Sequence, residues 1–229
     1  EMARGLVEAG HSVTVLTEFP NHPTGIIPPE HRRKLWERTE LEGIDVLRVW
    51  VKPSPVKTFR ARLTFYLSYM ITATLAGAIL ARGKYDLIYA TSPPLFVGAA
   101  ALALIRIRRT PMVFEVRDLW PASAIQLGEL RSQRAARMAT WLEERCYERA
   151  RGIVVVTEGI RRNLLERGIP ADKVVVIPNG ANTDIYSPRR PDPGLRESLG
   201  IGPDQFVAIF TGLHGLAQGL ETLLEAAHR

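Results

Sequence analysis

Hydrophobic positions along this chain alternate between two rhythms, a helical one and an extended one. Met2, Leu6 and Ala9 share a stripe at helical spacing, and Gly10 suits the left-handed cap that ends such a helix. Residues 12–17, Ser-Val-Thr-Val-Leu-Thr, are a β-branched run of strand length. A polar, proline-rich loop covers 18–29, and 44–50 reads as another strand. A long apolar helix is predicted over 59–80. Strand 87–90, helix 96–107, strand 112–116, helical segments over 122–149, strand 153–156, helix 159–167 and strand 174–177 follow. Short apolar strands separated by helices predict βαβ units and a parallel sheet covered on both faces. Right-handed crossovers make that a doubly wound, Rossmann-like α/β domain. No fixed-period repeat interrupts the pattern.

The rhythm breaks after Ser187. Pro188, Pro191, Pro193, Gly194, Gly200, Gly202 and Pro203 give 188–204 the composition of a linker. Beyond it, 205–212 starts a fresh strand and 216–228 a fresh helix. The expected organisation is a first domain over 1–187, the linker, and the first βα unit of a second Rossmann-like domain over 205–229. The opening residues already read as helix interior and carry no signal-peptide pattern. A first strand and its loop are therefore expected ahead of Glu1, and the rest of the second domain beyond Arg229.

Composition narrows the classes. Hydrophobic residues at 46% and charged ones at 24% of 229 residues exclude a disordered chain, and a core of this size needs no cross-links. The single cysteine, Cys146, excludes an intrachain disulfide and a multi-cysteine metal site, and suits a reducing, cytoplasmic compartment. The net charge of +6 fits nucleic acid, an anionic membrane surface or a phosphorylated small molecule. Nucleic acid ranks last, because the basic residues are scattered rather than clustered among exposed aromatics.

Several strand ends carry candidate chemistry. In 211–219, Gly212, Gly215 and Gly219 let a ligand approach the backbone, and the following helix would aim its free N–H groups at a diphosphate. His214 and Gln218 supply donors; a tight turn with glycines kept for packing is the equal alternative. At 174–188, Pro178 fixes the exit of a strand, Asn179-Gly180 suits positive φ, and Asn182 and Asp184 suit bonds to nearby backbone. An ordinary hinge turn explains that segment as well. Arg117 and Asp118 close strand 112–116 on the side where open α/β sheets bind ligands, with a mutual salt bridge as the alternative. Ser92 and Thr157 also stand at strand ends and read individually as helix caps. Together these polar strand ends point to a cleft.

The stretch 63–81 is free of charge and just long enough for about 30 Å of hydrocarbon. Thr64, Ser68, Thr72 and Thr74 make it a crossover helix rather than a spanning one. Arg60 and Arg62, with Lys52 and Lys57 nearby, suit a peripheral contact with anionic headgroups. Met138, Leu142, Cys146 and Ala150 form a core face, with Cys146 structural. The histidines at 11, 22, 31, 214 and 228 lack metal-ligand spacing.

At the Ile-Pro-Asn-Gly turn of 177–180 the chain resembles glycosyltransferase family 4, the retaining GT-B enzymes, over essentially its whole length. Segments 6–17, 159–188 and 211–226 carry the match. Phe-Pro-Asn-His-Pro-Thr-Gly at 19–25, Ala-Thr-Ser-Pro-Pro-Leu-Phe-Val-Gly at 90–98, Glu-Val-Arg-Asp-Leu-Trp-Pro at 115–121 and Gly-Leu-Ala-Gln-Gly at 215–219 resemble the bacterial surface-polysaccharide subgroup, including fucosamine-type transferases. The resemblance implies two facing Rossmann-like domains, an acceptor-binding first one and a donor-binding second one. It implies a nucleotide-sugar donor, UDP-linked, no cofactor or metal, and transfer with retention. The acceptor implied is a lipid-linked saccharide at the cytoplasmic membrane face. Gly212, His214, Gly215, Gln218, Gly219, Asn179 and Gly180 would then serve the donor, and Asn21, His22, Thr24 and Ser92 the acceptor. Arg117-Asp118 occupies the place where many relatives carry His-Asp near the reacting sugar; Arg117 departs from that pattern, so no general-base role is assigned to it. The family's N-terminal glycine-rich loop is expected before Glu1, and its Glu-x7-Glu segment and basic pair after Arg229. Without those positive groups on the leaving diphosphate the 229-residue chain is expected to show no turnover. The competing classes are a nucleotide-dependent oxidoreductase or epimerase, which needs Gly-x-Gly-x-x-Gly after the first strand, and a non-catalytic sugar- or lipid-binding module.

Overall fold

A computed structural model describes residues 1–56, 58–128, 130, 132–188, 192–202, 204–212, 214–215 and 218–228. Lys57, Pro191, Pro203, Leu216 and Ala217, to which the sequence reading gave parts in the basic helix start, the linker and the glycine loop, lie outside them. The chain divides into two compact units, Glu1–Pro178 and Asn179–Arg229.

The first unit is α/β, as expected, but its strands form two sheets rather than one. Helix α1 (Met2–Glu8) leads through Gly10 at φ +88 into β1 (Thr14–Glu18). β1 pairs in parallel with β3 (Ile44–Val49), and β3 pairs antiparallel with β2 (Trp36–Leu41). β2 was not foreseen. Its four consecutive polar residues, Glu37 to Glu40, between Trp36 and Leu41 suit an edge strand in contact with water. Glu42 and Gly43, both at positive φ, make the two-residue hairpin turn that joins it to β3. Arg38 then braces the pair, its Nε 2.6 Å from Asp45 Oδ1, and Thr14 Oγ1 donates to Asp45 Oδ2. That guanidinium holds the Asp45 carboxyl below the ordinary carboxylate range.

Helix α2 (Phe59–Ile79) is the expected crossover, started by Thr58, whose hydroxyl accepts the Ala61 N–H. It packs on α3 (Leu95–Arg108), where a Cβ on Gly77 would meet the Leu104 methyls at 2.8 Å. Ala73 and Ala76 join Ala100, Leu47 and Val49 in one apolar cluster. Arg108 closes the far end of α2, donating to the carbonyls of Gly77, Ala78, Ala81 and Gly83. Gly77 and Ala78 lie in the last turn of α2, where carbonyls have no partner within the helix, and Ala81 and Gly83 follow it. Among the described residues no helix is long and apolar enough to cross a membrane.

The four-stranded parallel sheet runs β4 (Ile88–Ser92), β5 (Met112–Val116), β6 (Gly152–Val155), β7 (Val174–Val176) in spatial order. Between β5 and β6 lie α4 (Ala122–Gln126) and α5 (Gln133–Arg149); α6 (Glu158–Glu166) leads to β7. Met112, Phe114 and Val116 are buried with Ala101 of α3, Cys146 and Tyr147 of α5, and Ile160 and Leu164 of α6. The intervening Val113 and Glu115 are only half-buried, and Val175 is exposed. Val154, in register with Glu115, is buried along with Ile153 and Val155, so β6 is covered on both faces and cover thins toward the edge strand β7. Cys146 is wholly buried, and burial pushes its thiol up to about 12, which keeps it protonated and structural as expected.

The second unit, by itself, holds α7 (Pro193–Ser198), begun by Asp192 accepting the Gly194 N–H, and α8 (Leu220–His228). Residues 204–212 are not a strand, against expectation, and Phe206 is 94% exposed. A strand exists only with a neighbour to share its ladder, and this unit offers none among its described residues.

Candidate functional site

The carboxyl ends of β1, β3, β4 and β5 supply the polar groups of the first unit. After β1 the chain turns at Phe19, which is fully buried, donates its N–H to Val49 O at 3.1 Å and stacks on His31 with ring centroids 5.1 Å apart. Asn21 donates from Nδ2 to Phe19 O at 2.9 Å, folding the loop back on itself. Four residues on, Gly25 sits at φ +70 against the segment that leaves β3. A Cβ there would lie 2.3 Å from Ser54 O. No side chain fits this crossing, which explains the glycine in the Pro-Thr-Gly turn.

Cavities open on both sides of that crossing. One of about 420 Å³ is lined by Ile27, His31, Arg32, Arg33, Trp50 and Pro53, among others. A smaller one, of about 130 Å³, is lined by Asn21, Ser54, Val56, Arg62, Phe65 and Tyr66, among others. Tyr66 of α2 stacks on Phe96 of α3 at 6.1 Å, tying the smaller cavity to the helix that follows Ser92. The Gly25→Ala variant should lose about 1–3 kcal/mol of stability, by adverse φ and by prying residues 50–56 from the loop. Urea unfolding followed through tryptophan emission measures it, and an unchanged midpoint would contradict so close a crossing.

At β4, Ser92 is buried and its carbonyl accepts the Arg117 N–H at 2.9 Å. Ser92 does not cap α3, against expectation; Pro94 holds that position, with no side-chain bond. Asp118 follows Arg117, and its Oδ2 accepts the Ser123 hydroxyl at 3.3 Å. Thr91 donates to Glu115 Oε2 at 2.7 Å, and burial followed by the Glu115 charge pushes the Tyr89 phenol up to about 12. Burial likewise raises the Glu18 carboxyl at the end of β1, against hydrogen bonds from its own backbone and Asn21. Thr157 is the cap foreseen, its Oγ1 accepting the Ile160 N–H.

Of the acceptor-side candidates, Asn21 thus lines a cavity, and Ser92 adjoins Arg117. His22 and Thr24 are exposed, with the Thr24 hydroxyl accepting the Ile26 N–H. In the second unit, Gly212 and Gly219 lie at φ +150 and +56, as a glycine loop requires. The Gly215 N–H donates to Gln218 Oε1 at 3.0 Å, so that acceptor is turned inward. The His214 ring meets Phe210 edge-on at 5.6 Å, and Glu221 occupies the first turn of α8. Gly180 does not adopt the positive φ foreseen for Asn179-Gly180; the turn forms three residues later, where Asn182 Oδ1 accepts the Asp184 N–H. Among the described residues no three His, Cys, Asp or Glu side chains gather as a metal site needs.

Trp50, Pro53 and Arg33 were not singled out in the sequence. A signal was there: a tryptophan, then Pro-Ser-Pro, directly after a strand whose carboxyl end shares a rim with its parallel neighbour.

Known proteins match the chain over most of its length. The Glycosyl transferase 4-like domain matches residues 1–180. The chain is 24% identical to the putative colanic acid biosynthesis glycosyl transferase WcaI of Escherichia coli (strain K12), over 100% of this chain and 57% of WcaI. It is 30% identical over 119 residues to the alpha-maltose-1-phosphate synthase of Mycolicibacterium smegmatis, 50% of this chain and 29% of that one. Among solved structures, Anabaena Alr3699/HepE in complex with UDP-glucose matches at a TM-score of 0.46 and 16% identity, over 83% of this chain and 50% of that one. The chain thus spans little more than half the length of WcaI.

Proposed function

The chain belongs to the glycosyl transferase 4-like family, and from that premise we propose that it forms the acceptor-side part of a glycosyltransferase acting in cell-surface polysaccharide synthesis. The whole enzyme moves a sugar from a UDP-linked donor to a lipid-linked saccharide, with retention and without a metal. The observation that carries this reading is the pair of cavities on either side of Gly25, opening where strand ends of a family domain meet. Asn21, His22, Thr24 and Ser92 meet the acceptor. Arg117 and Asp118, at the end of β5, stand nearest the reacting sugar. Asn179, Gly180, Gly212, His214, Gly215, Gln218 and Gly219 serve the donor, the glycines by letting the diphosphate approach the backbone ahead of α8. The relative's name, colanic acid biosynthesis, favours a surface polysaccharide as product.

The enzyme works at the cytoplasmic face of the membrane. α2 supports a peripheral contact there: Ile71, Leu75 and Ile79 are exposed along it, and Arg60 and Arg62 stand in its first turn.

The test is transfer by the whole protein from UDP-sugars to a polyprenyl-diphosphate-linked saccharide. The expected product is longer by one sugar and keeps the anomeric configuration of the donor. Inversion at that carbon, or oxidation of the nucleotide sugar in place of transfer, would sink the reading.

A further inference from the structure

The larger cavity has a composition that a neutral sugar does not require. Two guanidinium groups, Arg32 and Arg33, line it beside the indole of Trp50, and no carboxylate is in its lining. Arg32 spends only Nε–H, on Ile27 O at 3.2 Å, and neither arginine makes an ion pair with a described residue. The nearby carboxylate, Glu37, is already engaged. Lys34 pairs with it and holds its carboxyl below the ordinary range, and His31 Nδ1 lies 3.0 Å from its other oxygen. Among the described residues, no carboxylate is therefore paired with these two guanidinium groups.

The backbone adds a second observation. Arg33 sits at φ +68, where residues with a Cβ are uncommon. Such a conformation is strained and persists where surrounding structure imposes it. Here it keeps Arg33 on the cavity wall. The volume of about 420 Å³ lies within the range of small-molecule sites. Trp50, about a third exposed, offers a flat apolar face and needs no movement to do so.

We infer that this cavity receives an anionic sugar unit of the acceptor, its ring laid on Trp50 and its carboxylate or phosphate held between Arg32 and Arg33. Planar guanidinium forks match both oxyanions in geometry and charge. The inference rests on the acceptor-side reading above and adds to it the charge of the unit recognised.

Equilibrium binding to the 229-residue chain, read by tryptophan emission and calorimetry, tests it. The probes are methyl β-D-glucuronide, glucose 1-phosphate, methyl β-D-glucoside and inorganic phosphate. One or both anionic sugars should bind at least tenfold more tightly than the neutral glucoside and than inorganic phosphate; whichever is tighter identifies the group. Arg33→Asn removes the charge with a residue that tolerates left-handed backbone, and should weaken the anionic sugar about tenfold. Arg162→Gln, an exposed charge on α6, should change nothing. Equal binding of the neutral glucoside would overturn the inference and leave the transferase reading standing. Inorganic phosphate binding as tightly as the sugar phosphate would overturn it by reducing the site to a plain anion site. Absence of binding by every saccharide would overturn both the inference and the acceptor-side assignment.

Discussion

Replacing Glu143 with alanine should destabilise the Glu1–Pro178 unit by about 2–4 kcal/mol, the largest loss expected from removing one polar side chain of that unit. Glu143 is 3% exposed in the middle of α5. Its Oε1 accepts the Tyr147 hydroxyl at 2.7 Å, and its Oε2 accepts Arg167 Nη2 at 2.7 Å. Arg167 also lies over the Tyr147 ring, 5.4 Å from its centroid, and Lys173 Nζ donates to the carbonyls of Tyr147 and Glu148. The carboxylate thus fastens α5 to the end of α6, and Lys173 separately ties the turn before β7 to backbone carbonyls of α5. Without the carboxylate, Tyr147 keeps a buried hydroxyl with no acceptor. Burial and the Glu143 charge both hold that phenol far above its usual pKa, so it remains a donor across the accessible pH range. Arg167 recovers some hydration, because its side chain is 30% exposed, and the expected loss is reduced accordingly. Glu143→Gln, which keeps an acceptor for Tyr147, should lose less. The urea midpoint of the isolated chain measures both, and a loss under about 1 kcal/mol for Glu143→Ala would contradict the network's role.

The second large effect concerns turnover. In the whole enzyme, Arg117→Met should lower kcat by about a hundredfold or more while leaving the melting temperature within a few degrees. The position is held rigidly: the Arg117 N–H donates to Ser92 O, which locks the last residues of β4 and β5 together. On the function proposed above, the Arg117 guanidinium at the carboxyl end of β5 would stabilise charge that develops on the sugar or its leaving group. In that role it would act by charge rather than by taking a proton. Retention of more than about a fifth of wild-type kcat would remove Arg117 from the chemistry.

Sequence reading succeeded where burial is decided locally. Met112–Val116 alternates inward and half-buried residues between a Thr-Pro pair and the charged Arg117-Asp118, and the strand forms as foreseen. Trp36–Leu41 escaped because an edge strand with four consecutive polar residues resembles a loop until Ile44–Val49 is seen to pair with it. The opposite error occurred at 205–212, where an apolar run promised a strand and found no neighbour among the described residues. Arg108 could not be understood from its surroundings in the chain, because the carbonyls it caps belong to a helix some thirty residues earlier. Arg117 and Asp118 do follow β5, the position at a strand end for which the sequence singled them out, while Asn21 was named only through the family resemblance and lines the smaller cavity. The opposing wall, Trp50 with Pro53 and Arg33, was signalled only by a tryptophan and Pro-Ser-Pro after a strand, and its placement depends on the close crossing at Gly25.

The central claim, that this chain carries the acceptor side of a sugar transfer, is tested most directly by asking which ligand the isolated 229 residues prefer. Detergent-solubilised polyprenyl-diphosphate saccharide, UDP-glucose and NAD are each titrated against the chain. Saturable binding of the lipid-linked saccharide, with weak binding of UDP-glucose and none of NAD, is the outcome expected of an acceptor domain. Preferential binding of NAD, or tight binding of UDP-glucose with no affinity for the saccharide, would contradict it.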